Sequence, residues 1–226
     1  MASVLIIAAA GMGIRLGRQE PKALVALAGR PMLSWVLDTL AALPFESIVV
    51  TAPVDRLGDF EALVRGRGLV VPGGQTRAAS VRKGFERTGA LPRDIVCIHD
   101  AARPLVAARD VQEVIAAAER AGAAIAASAI VDTVKRVEGG RIVATVDREG
   151  LWAAGTPQAF RADLLRQAIA SGRDATDEAA LCEALGIPVT VVPVSRLGFK
   201  ITGPEDLEIA EALLERTLGS RIQSPR

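Results

Sequence analysis

The amino-acid sequence predicts an α/β fold in which a mostly parallel sheet carries helices on both faces. Short runs rich in Val and Ile recur along the 226 residues, and amphipathic stretches separate them. This is the pattern of parallel strands joined by crossover helices. Several runs are apolar almost throughout, as strands covered on both faces are. One segment that alternates apolar and polar residues interrupts this order and predicts a protruding β-hairpin arm.

Six apolar runs are predicted to be strands, and six amphipathic stretches are predicted to be helices. The strands are expected at residues 3–10, 47–52, 68–73, 94–100, 122–131 and 188–194. The helices are expected at residues 31–42, 76–88, 107–121, 161–171, 176–185 and 204–218. Pro31 and Pro204 suit a first helical turn, where the missing N–H is not needed.

The segment 132–150, DTVKRVEGGRIVATVDREG, alternates apolar and polar residues on both sides of a Gly-Gly pair. This pattern is typical of a hairpin. Because a two-stranded ribbon alone is only marginally stable, we expect it to pack on the edge of its own sheet or on a partner subunit. We expect residues 1–226 to form one domain, with a disordered polar tail at 219–226.

The composition argues against several classes of partner. The net charge is +1 and aromatic residues make up 3% of the chain, with no tyrosine, so neither a basic nucleic-acid surface nor a stacking platform for single strands is expected. No apolar run approaches the roughly 18 residues of a membrane span, and we expect a cytoplasmic protein. Cys97 and Cys182 lack metal-ligand spacing and are expected to be reduced thiols.

The loop after the first predicted strand, AAAGMGIRLGRQEPK at residues 8–22, predicts a phosphate site. Gly11 and Gly13 allow backbone N–H groups to approach a phosphate, and Arg15 and Lys22 add two cations that suit a polyphosphate. A dinucleotide fits poorly, because the glycine spacing differs, RQEPK interrupts the helix, and no acid follows about 20 residues on. A Walker loop would end in Gly-Lys-Ser/Thr. The alternative is a solvated loop whose cations face water.

The fourth predicted strand ends in HDAARP at residues 99–104. In an open α/β sheet, ligands bind beyond the carboxyl ends of the strands. Asp100 at that position suits Mg²⁺ shared with substrate oxygens, with Arg103 on a phosphate; the alternative is a local Asp–Arg salt bridge. His99, the only histidine, is expected to be a packed strand residue.

The segment GGQTRAAS at residues 73–80 opens a predicted helix. Thr76 suits the N-cap, and Gly74, Arg77 and Ser80 would lie near the positive helix end, where anions or a base edge can be held. Helix starts in general look similar, so this motif alone is weak. Further along, Thr176 to Glu178 are most simply a helix start with acids near its dipole.

These motifs, in their order, closely resemble the 2-C-methyl-D-erythritol 4-phosphate cytidylyltransferases of the non-mevalonate isoprenoid pathway. The resemblance covers residues 3–218 and lies in AAGMGIR, PK, GGQTR, HDAARP, VDTVKR, VDREGLW, TPQAF, TDEA and FKITGPEDL. It implies a Rossmann-like fold of the nucleotidyltransferase type and an enzyme that couples CTP to a sugar-alcohol phosphate with Mg²⁺, releasing pyrophosphate. It also implies a homodimer formed through the arm at 132–150.

The resemblance further implies roles for individual residues. Catalytic roles fall to Arg15, Lys22 and Lys200. Asp100 is the implied metal ligand. The implied CTP-binding residues are Ala9, Ala10, Gly11, Gly13, Arg15, Lys22, Gly74, Arg77, Ser80, Asp100 and Ala101. The implied substrate-binding residues are Arg103, Thr156 and Lys200, together with Thr133 and Arg148, which would reach the partner subunit's site.

Two features of the sequence bear on the roles of the loop cations and on the identity of the sugar phosphate. The family often has a basic residue where this chain has Ile14, which places more weight on Arg15 and Lys22. Sister enzymes acting on ribitol 5-phosphate tend to read Asp-Ser-Val-Arg-Pro, whereas this chain reads Asp-Ala-Ala-Arg-Pro, which favours methylerythritol phosphate. A non-catalytic nucleotide-binding module and, more distantly, a nicotinamide oxidoreductase are the rival classes of protein.

Overall fold

The computed structural model describes residues 1–173 and 175–222, with side chains described as far as residue 216. The strands are β1 (Ser3–Ala8), β2 (Ala26–Leu27), β3 (Arg30–Pro31), β4 (Ser47–Ala52), β5 (Leu69–Pro72), β6 (Ile95–Asp100), β7 (Ala123–Ala129), β8 (Val134–Glu138), β9 (Arg141–Val146), β10 (Trp152–Arg161) and β11 (Thr190–Pro193). The helices are α1 (Met32–Leu40), α2 (Leu57–Val64), α3 (Arg77–Thr88), α4 (Ala108–Ala121), α5 (Ala162–Ala170), α6 (Glu178–Glu183) and α7 (Pro204–Ile222).

A seven-stranded sheet in the order β11-β7-β10-β6-β1-β4-β5 forms the centre of the molecule. β1 pairs in parallel with β4 and β6, β4 with β5, and β11 with β7. β10 runs antiparallel to both of its neighbours, β6 and β7. The predicted mostly parallel sheet is therefore confirmed, and the carboxyl ends of β1, β4, β5 and β6 meet at one edge.

Both faces of the sheet are covered, because β1 supplies apolar side chains to each. Leu5 and Ile7 pack into one buried cluster, and Val4 and Ile6 pack into a second. Gly84 lets α3 lie close to the sheet, since a Cβ at this position would come within 2.8 Å of Ile6 Cγ2. This close packing fixes the N-terminus of α3 beside the ends of β1 and β4.

Most predicted elements are confirmed with boundaries that differ by a few residues. β1 ends at Ala8, so Ala9 and Ala10 belong to the loop that follows. α6 is shorter than the helix predicted at 176–185, and its N-cap is Asp177. α7 continues to Ile222, beyond the predicted helix end at 218. The disordered tail at 219–226 stays a prediction, and residues 223–226 lie outside the described residues.

Three elements were not predicted: the short β2–β3 pair, α2 and β10. β10 contains Gly155 and Pro157, and its register with β7 shifts between Ala154 and Gln158. Glycine and proline in a strand mark such irregularities and break the period-two pattern. The alternation that predicts a strand is therefore missing from β10. This strand nevertheless places Thr156 beside β6.

The hairpin arm is confirmed as the two-stranded sheet of β8 and β9. Gly139 and Gly140 both have positive φ at its turn, a conformation that glycine adopts at little cost. The arm leaves Val137, Ile142 and Val143 exposed, each by half or more. Among the described residues, no helix is long and apolar enough to cross a membrane.

Candidate active site

Asp100 lies at the carboxyl end of β6, at the centre of an ion network. Its Oδ1 accepts a hydrogen bond from Arg77 Nε at 2.9 Å, and its Oδ2 accepts one from Lys200 Nζ at 2.7 Å. Burial alone would raise the pKa of Asp100, but the charges of Arg77 and Lys200 outweigh burial and hold that pKa well below its usual range. Asp100 is therefore an anionic carboxylate at neutral pH. Its ion pairs are with Arg77 and Lys200, two cations from distant elements, and not with Arg103 as the alternative interpretation had it.

Arg77, at the start of α3, joins Asp100 to Glu178, the first residue of α6. Its Nη1 donates to Glu178 Oε2 at 2.7 Å and to Oε1 at 3.0 Å. Glu178 is 1% exposed, and its burial raises its pKa while Arg77 opposes that shift. Burial would lower the pKa of Arg77, but the two acids raise it above its ordinary value. Glu178, Arg77, Asp100 and Lys200 thus form an alternating network with no net charge.

A second chain of hydrogen bonds fixes the backbone around Asp100. The Asp100 N–H donates to Thr156 Oγ1 at 3.0 Å, Thr156 Oγ1 lies 3.3 Å from His99 Nδ1, and His99 Nε2 lies 3.2 Å from the Arg103 carbonyl oxygen. A carbonyl only accepts, so Nε2 carries the proton and Nδ1 accepts from Thr156. His99 is a fully buried strand residue, as predicted, and it also ties β6 to the loop that carries Arg103.

We predict that His99 makes the ligand-free protein less stable in mild acid. Burial lowers the pKa of His99 to about 4, below the unfolded value near 6.5, so the unfolded state takes up the proton first as the pH falls. The contribution of His99 is complete above pH 6.5 and falls by about 2 kcal/mol by pH 5. Urea unfolding at pH 7.5 and pH 5 measures this difference.

The matched variant for that measurement is His99→Asn, which does not titrate in this range. Its free energy of unfolding should change by less than about 0.5 kcal/mol between the same two pH values, apart from surface groups. An equal loss of stability in the wild type and in His99→Asn would show that His99 is not the responsible group.

The loop at 11–22 is closed by its own backbone hydrogen bonds. The Lys22 N–H donates to the Gly11 carbonyl at 2.9 Å, and the Gly13 N–H donates to the Glu20 carbonyl at 3.0 Å. The Gly13 amide is therefore not free to bind phosphate in this conformation, contrary to the expectation. Gly11 differs, because the space where its Cβ would lie is open.

A cavity of about 200 Å³ brings together ten of the eleven residues predicted to bind CTP; the exception is Gly13. The predicted residues in its lining are Ala9, Ala10, Gly11, Arg15, Lys22, Gly74, Arg77, Ser80, Asp100 and Ala101. Lys200 also lines it. Burial, followed by the charges of Lys200 and Arg15, lowers the pKa of Lys22. Three cations thus repel one another across this cavity, an arrangement that an anionic ligand would relieve.

An adjoining cavity of about 270 Å³ contains Arg103, Thr156 and Lys200, the predicted substrate residues of the main body. It shares Arg77, Asp100 and Lys200 with the first cavity. Arg103 Nη1 donates to the Gly198 carbonyl at 3.0 Å, and its Nε is buried without a hydrogen-bond partner among the described residues. A Cβ at Gly155 would come within 3.2 Å of the Arg103 guanidinium, so glycine there makes room for the arginine.

The remaining predicted site residues have different surroundings. Ser80 Oγ accepts from the Gly74 N–H at 3.0 Å and donates to the Thr76 carbonyl at 2.9 Å. It therefore holds the loop before α3 in place as well as lining the cavity. Thr133 and Arg148 are exposed at the base of the arm and line neither cavity.

Sequence reasoning missed Glu178 as a site residue and interpreted it as part of a helix start. Asp177 is that cap, since its Oδ1 accepts from the Ala180 N–H at 2.9 Å. Its Oδ2 accepts from Gln158 Nε2 at 2.8 Å, which ties α6 to β10. An available signal was the pair of adjacent acids in TDEA, because one cap needs only one of them.

The carboxylate oxygens of Asp100 suit a divalent cation that takes most of its ligands from substrate. Across residues 1–173 and 175–222, no cluster of three or more His, Cys, Asp or Glu could hold a metal by itself. A single carboxylate whose Oδ2 already binds an ammonium group offers the hard oxygen that Mg²⁺ shares with phosphates.

The fold and site define an α/β protein of the nucleotidyltransferase type. A mostly parallel sheet ends in a cationic cavity with one buried carboxylate, at the position where such sheets bind ligands. The family model for IspD, 2-C-methyl-D-erythritol 4-phosphate cytidylyltransferase, matches residues 3–216. The chain belongs to this family.

Individual relatives agree with the family match. The 2-C-methyl-D-erythritol 4-phosphate cytidylyltransferase of Streptomyces coelicolor is 45% identical over 93% of this chain and 84% of its own length. The protein of the same name from Prochlorococcus marinus is 42% identical over 93% of this chain and 97% of its own. The crystal structure of the Thermus thermophilus enzyme superposes with a TM-score of 0.80 at 35% identity, covering 95% of this chain and 100% of that one.

Proposed function

We propose that the chain transfers the cytidylyl group of CTP to the phosphate of 2-C-methyl-D-erythritol 4-phosphate, giving 4-diphosphocytidyl-2-C-methyl-D-erythritol and pyrophosphate. The observation that carries this proposal is the convergence of Arg15, Lys22 and Lys200 on one cavity that also contains Asp100. Such a set suits a triphosphate and a reacting phosphorus. The names of the relatives support the choice of nucleotide and acceptor.

In this proposal the two cavities hold the two substrates. CTP occupies the cavity between the loop at 11–22 and the start of α3, with the nucleoside near Ala9, Ala10, Gly74, Arg77 and Ser80. The sugar phosphate occupies the adjoining cavity near Arg103 and Thr156. The α-phosphorus then lies where the cavities meet, because Asp100 and Lys200 line both.

Mg²⁺ is the metal we propose for this site, with Asp100 as its protein ligand. When bound, it would neutralise phosphate charge and help to orient the triphosphate. Lys200 Nζ donates to Asp100 Oδ2, so Lys200 would exchange this partner for a phosphate oxygen when CTP is bound.

The proposed reaction needs no side chain as a base. An oxygen of the acceptor phosphate attacks the α-phosphorus of CTP, the bond from that phosphorus to the bridging oxygen breaks, and pyrophosphate leaves. A phosphate monoester has a second pKa near 6 and is mostly dianionic at neutral pH. His99 is buried with both ring nitrogens in hydrogen bonds, so it is not placed to take a proton. Arg15 and Lys22 would stabilise the charge that grows on the α-phosphoryl and pyrophosphate oxygens.

We also propose that residues 1–226 act as one domain in a cytoplasmic homodimer joined through the arm at 132–150. β8 and β9 leave apolar side chains exposed, and an isolated two-stranded ribbon is only marginally stable. Both facts support a dimer in which a second copy of the chain covers this surface. Thr133 and Arg148 are exposed at the base of the arm. In a dimer they would complete the sugar-phosphate cavity of the partner.

We predict that the proposed dimer shares its sites. Arg148→Ala and Thr133→Ala should mainly raise KM for the sugar phosphate, because each removes a contact to that substrate. Mixed dimers of Arg148→Ala with Lys22→Met should recover up to about one quarter to one half of wild-type activity, since one of the two composite sites is then intact. Activity no greater than the sum of the two parent variants would contradict the shared site.

Substrate choice is tested by a paired assay with CTP and Mg²⁺. Pyrophosphate release is measured with 2-C-methyl-D-erythritol 4-phosphate and, separately, with ribitol 5-phosphate. The proposal expects a kcat/KM at least about 10²-fold higher for the first, since a pocket with fitted polar contacts rejects a mismatched hydroxyl pattern. Preference for ribitol 5-phosphate would favour the sister activity, and release with neither would indicate a non-catalytic nucleotide-binding module.

A further inference from the structure

We infer that Glu178 is a positioning residue that acts through Arg77 to keep the Asp100 carboxylate available to a divalent cation. The inference rests on the proposed function, because it takes Asp100 as the metal ligand. Glu178 itself lines neither the CTP cavity nor the adjoining one, so it is not placed to touch substrate.

Glu178 is buried against Arg77. Its side chain is 2% exposed, and Arg77 Nη1 lies 2.7 Å from its nearer oxygen. A buried carboxylate is costly unless a cation and hydrogen bonds compensate it. Arg77 is the one cation paired with it among the described side chains, so the position of each fixes the other.

Arg77 divides its hydrogen bonds between two acids. Nε binds Asp100 Oδ1, Nη1 binds Glu178, and Nη2 is buried without a partner among the described residues. A guanidinium next to a single carboxylate commonly binds it with two parallel N–H donors. Nη2 is the donor that lies parallel to Nε, and it makes no hydrogen bond to Asp100 because the pairing of Nη1 with Glu178 fixes the rotation of the guanidinium. Asp100 therefore receives one hydrogen bond from Arg77 instead of a two-donor pair.

The other carboxylate oxygen of Asp100, Oδ2, has a more mobile partner than Oδ1. Oδ2 is bound by Lys200, whose side chain is 38% exposed and carries its charge on a flexible stem. Lys200 can leave for a phosphate, whereas the guanidinium of Arg77 is held on both sides. If Glu178 lost its charge, the guanidinium could rotate and bring Nη2 beside Nε onto Asp100, and a metal would then have to compete with a two-donor pair.

Glu178→Gln tests this role, because glutamine keeps the size of the side chain and removes its charge. The dissociation constant of CTP is measured by calorimetry with and without Mg²⁺, in the absence of any acceptor. We expect the gain in CTP affinity that Mg²⁺ provides to shrink about tenfold in this variant, while the affinity without Mg²⁺ is not weakened. Glu183→Gln, an exposed acid on the same helix, is the control and should match the wild type.

Two further measurements separate a positioning role of Glu178 from a merely structural one. In an Arg77→Gln background, Glu178→Gln should not reduce the Mg²⁺-dependent gain further, because the residue through which it acts is gone. An unchanged gain in Glu178→Gln, or an equal weakening of CTP binding with and without Mg²⁺, would overturn the inference while leaving the proposed function intact. Failure of the wild type to bind CTP would instead refute the proposed function.

Discussion

Lys22→Met is expected to keep the fold and to lose at least about 10²-fold in kcat. Lys22 is half-buried in the proposed CTP cavity, where burial and the charges of Lys200 and Arg15 lower the pKa of its ammonium group. A cation held in this way is already partly desolvated and directed at the place where phosphate charge would grow. Methionine has a similar length and removes only the charge. Steady-state kinetics with saturating CTP and sugar phosphate measure the effect.

The control for Lys22→Met is Arg18→Met, which removes a cation from the same loop. Arg18 is exposed and does not line the CTP cavity, so its kcat should stay within about twofold of the wild type, as for other surface substitutions. Near-normal turnover by Lys22→Met, with unchanged thermal unfolding in both variants, would remove Lys22 from the catalytic residues.

Asp100→Asn is expected to lower kcat by roughly 10³-fold. The substitution removes the anion to which both Arg77 and Lys200 donate, and with it the proposed metal ligand. Arg77 then keeps only Glu178 as an acidic partner, and the neutral amide no longer attracts a divalent cation. The measurement is kcat over a range of Mg²⁺ concentrations, and excess Mg²⁺ should not restore it.

Asp38→Asn is the matched control for Asp100→Asn. Asp38 also pairs with two arginines, Arg30 and Arg67, but its side chain is 46% exposed, and such surface pairs contribute about 0–1 kcal/mol. Its kcat should equal that of the wild type. Restoration of Asp100→Asn to wild-type kcat by excess Mg²⁺ would mean that Asp100 tunes metal affinity alone.

The sheet and the residues at its edge were predictable because each depends on a local pattern. Buried parallel strands are apolar runs, and the residue after each run falls at the edge where ligands bind. That reasoning placed Asp100 and Gly11 at the site without any knowledge of contacts. β10 was not predictable in this way, since Gly155 and Pro157 interrupt its alternation.

The pairings within the site depend on elements far apart in sequence, and no local pattern encodes them. Arg77 and Glu178 are separated by 101 positions, and they meet only in the folded chain, where α3 and α6 both contribute side chains to one buried cluster. The hydrogen bond from the Gly13 N–H to the Glu20 carbonyl likewise depends on the folded shape of the loop, which the sequence pattern does not encode. The resemblance to a known family supplied the roles of Thr133 and Arg148, which their exposed positions in one chain do not define.

We propose that the acceptor phosphate attacks the α-phosphorus of CTP directly and that the side chains contribute only charge and positioning to catalysis. The most direct test is the stereochemical course of the reaction with the SP diastereomer of CTP bearing sulfur on its α-phosphorus, followed by ³¹P NMR of the product. A single in-line displacement inverts the configuration at that phosphorus, and inversion is the result expected here. Retention would require two displacements and a cytidylylated side chain, and it would contradict the account.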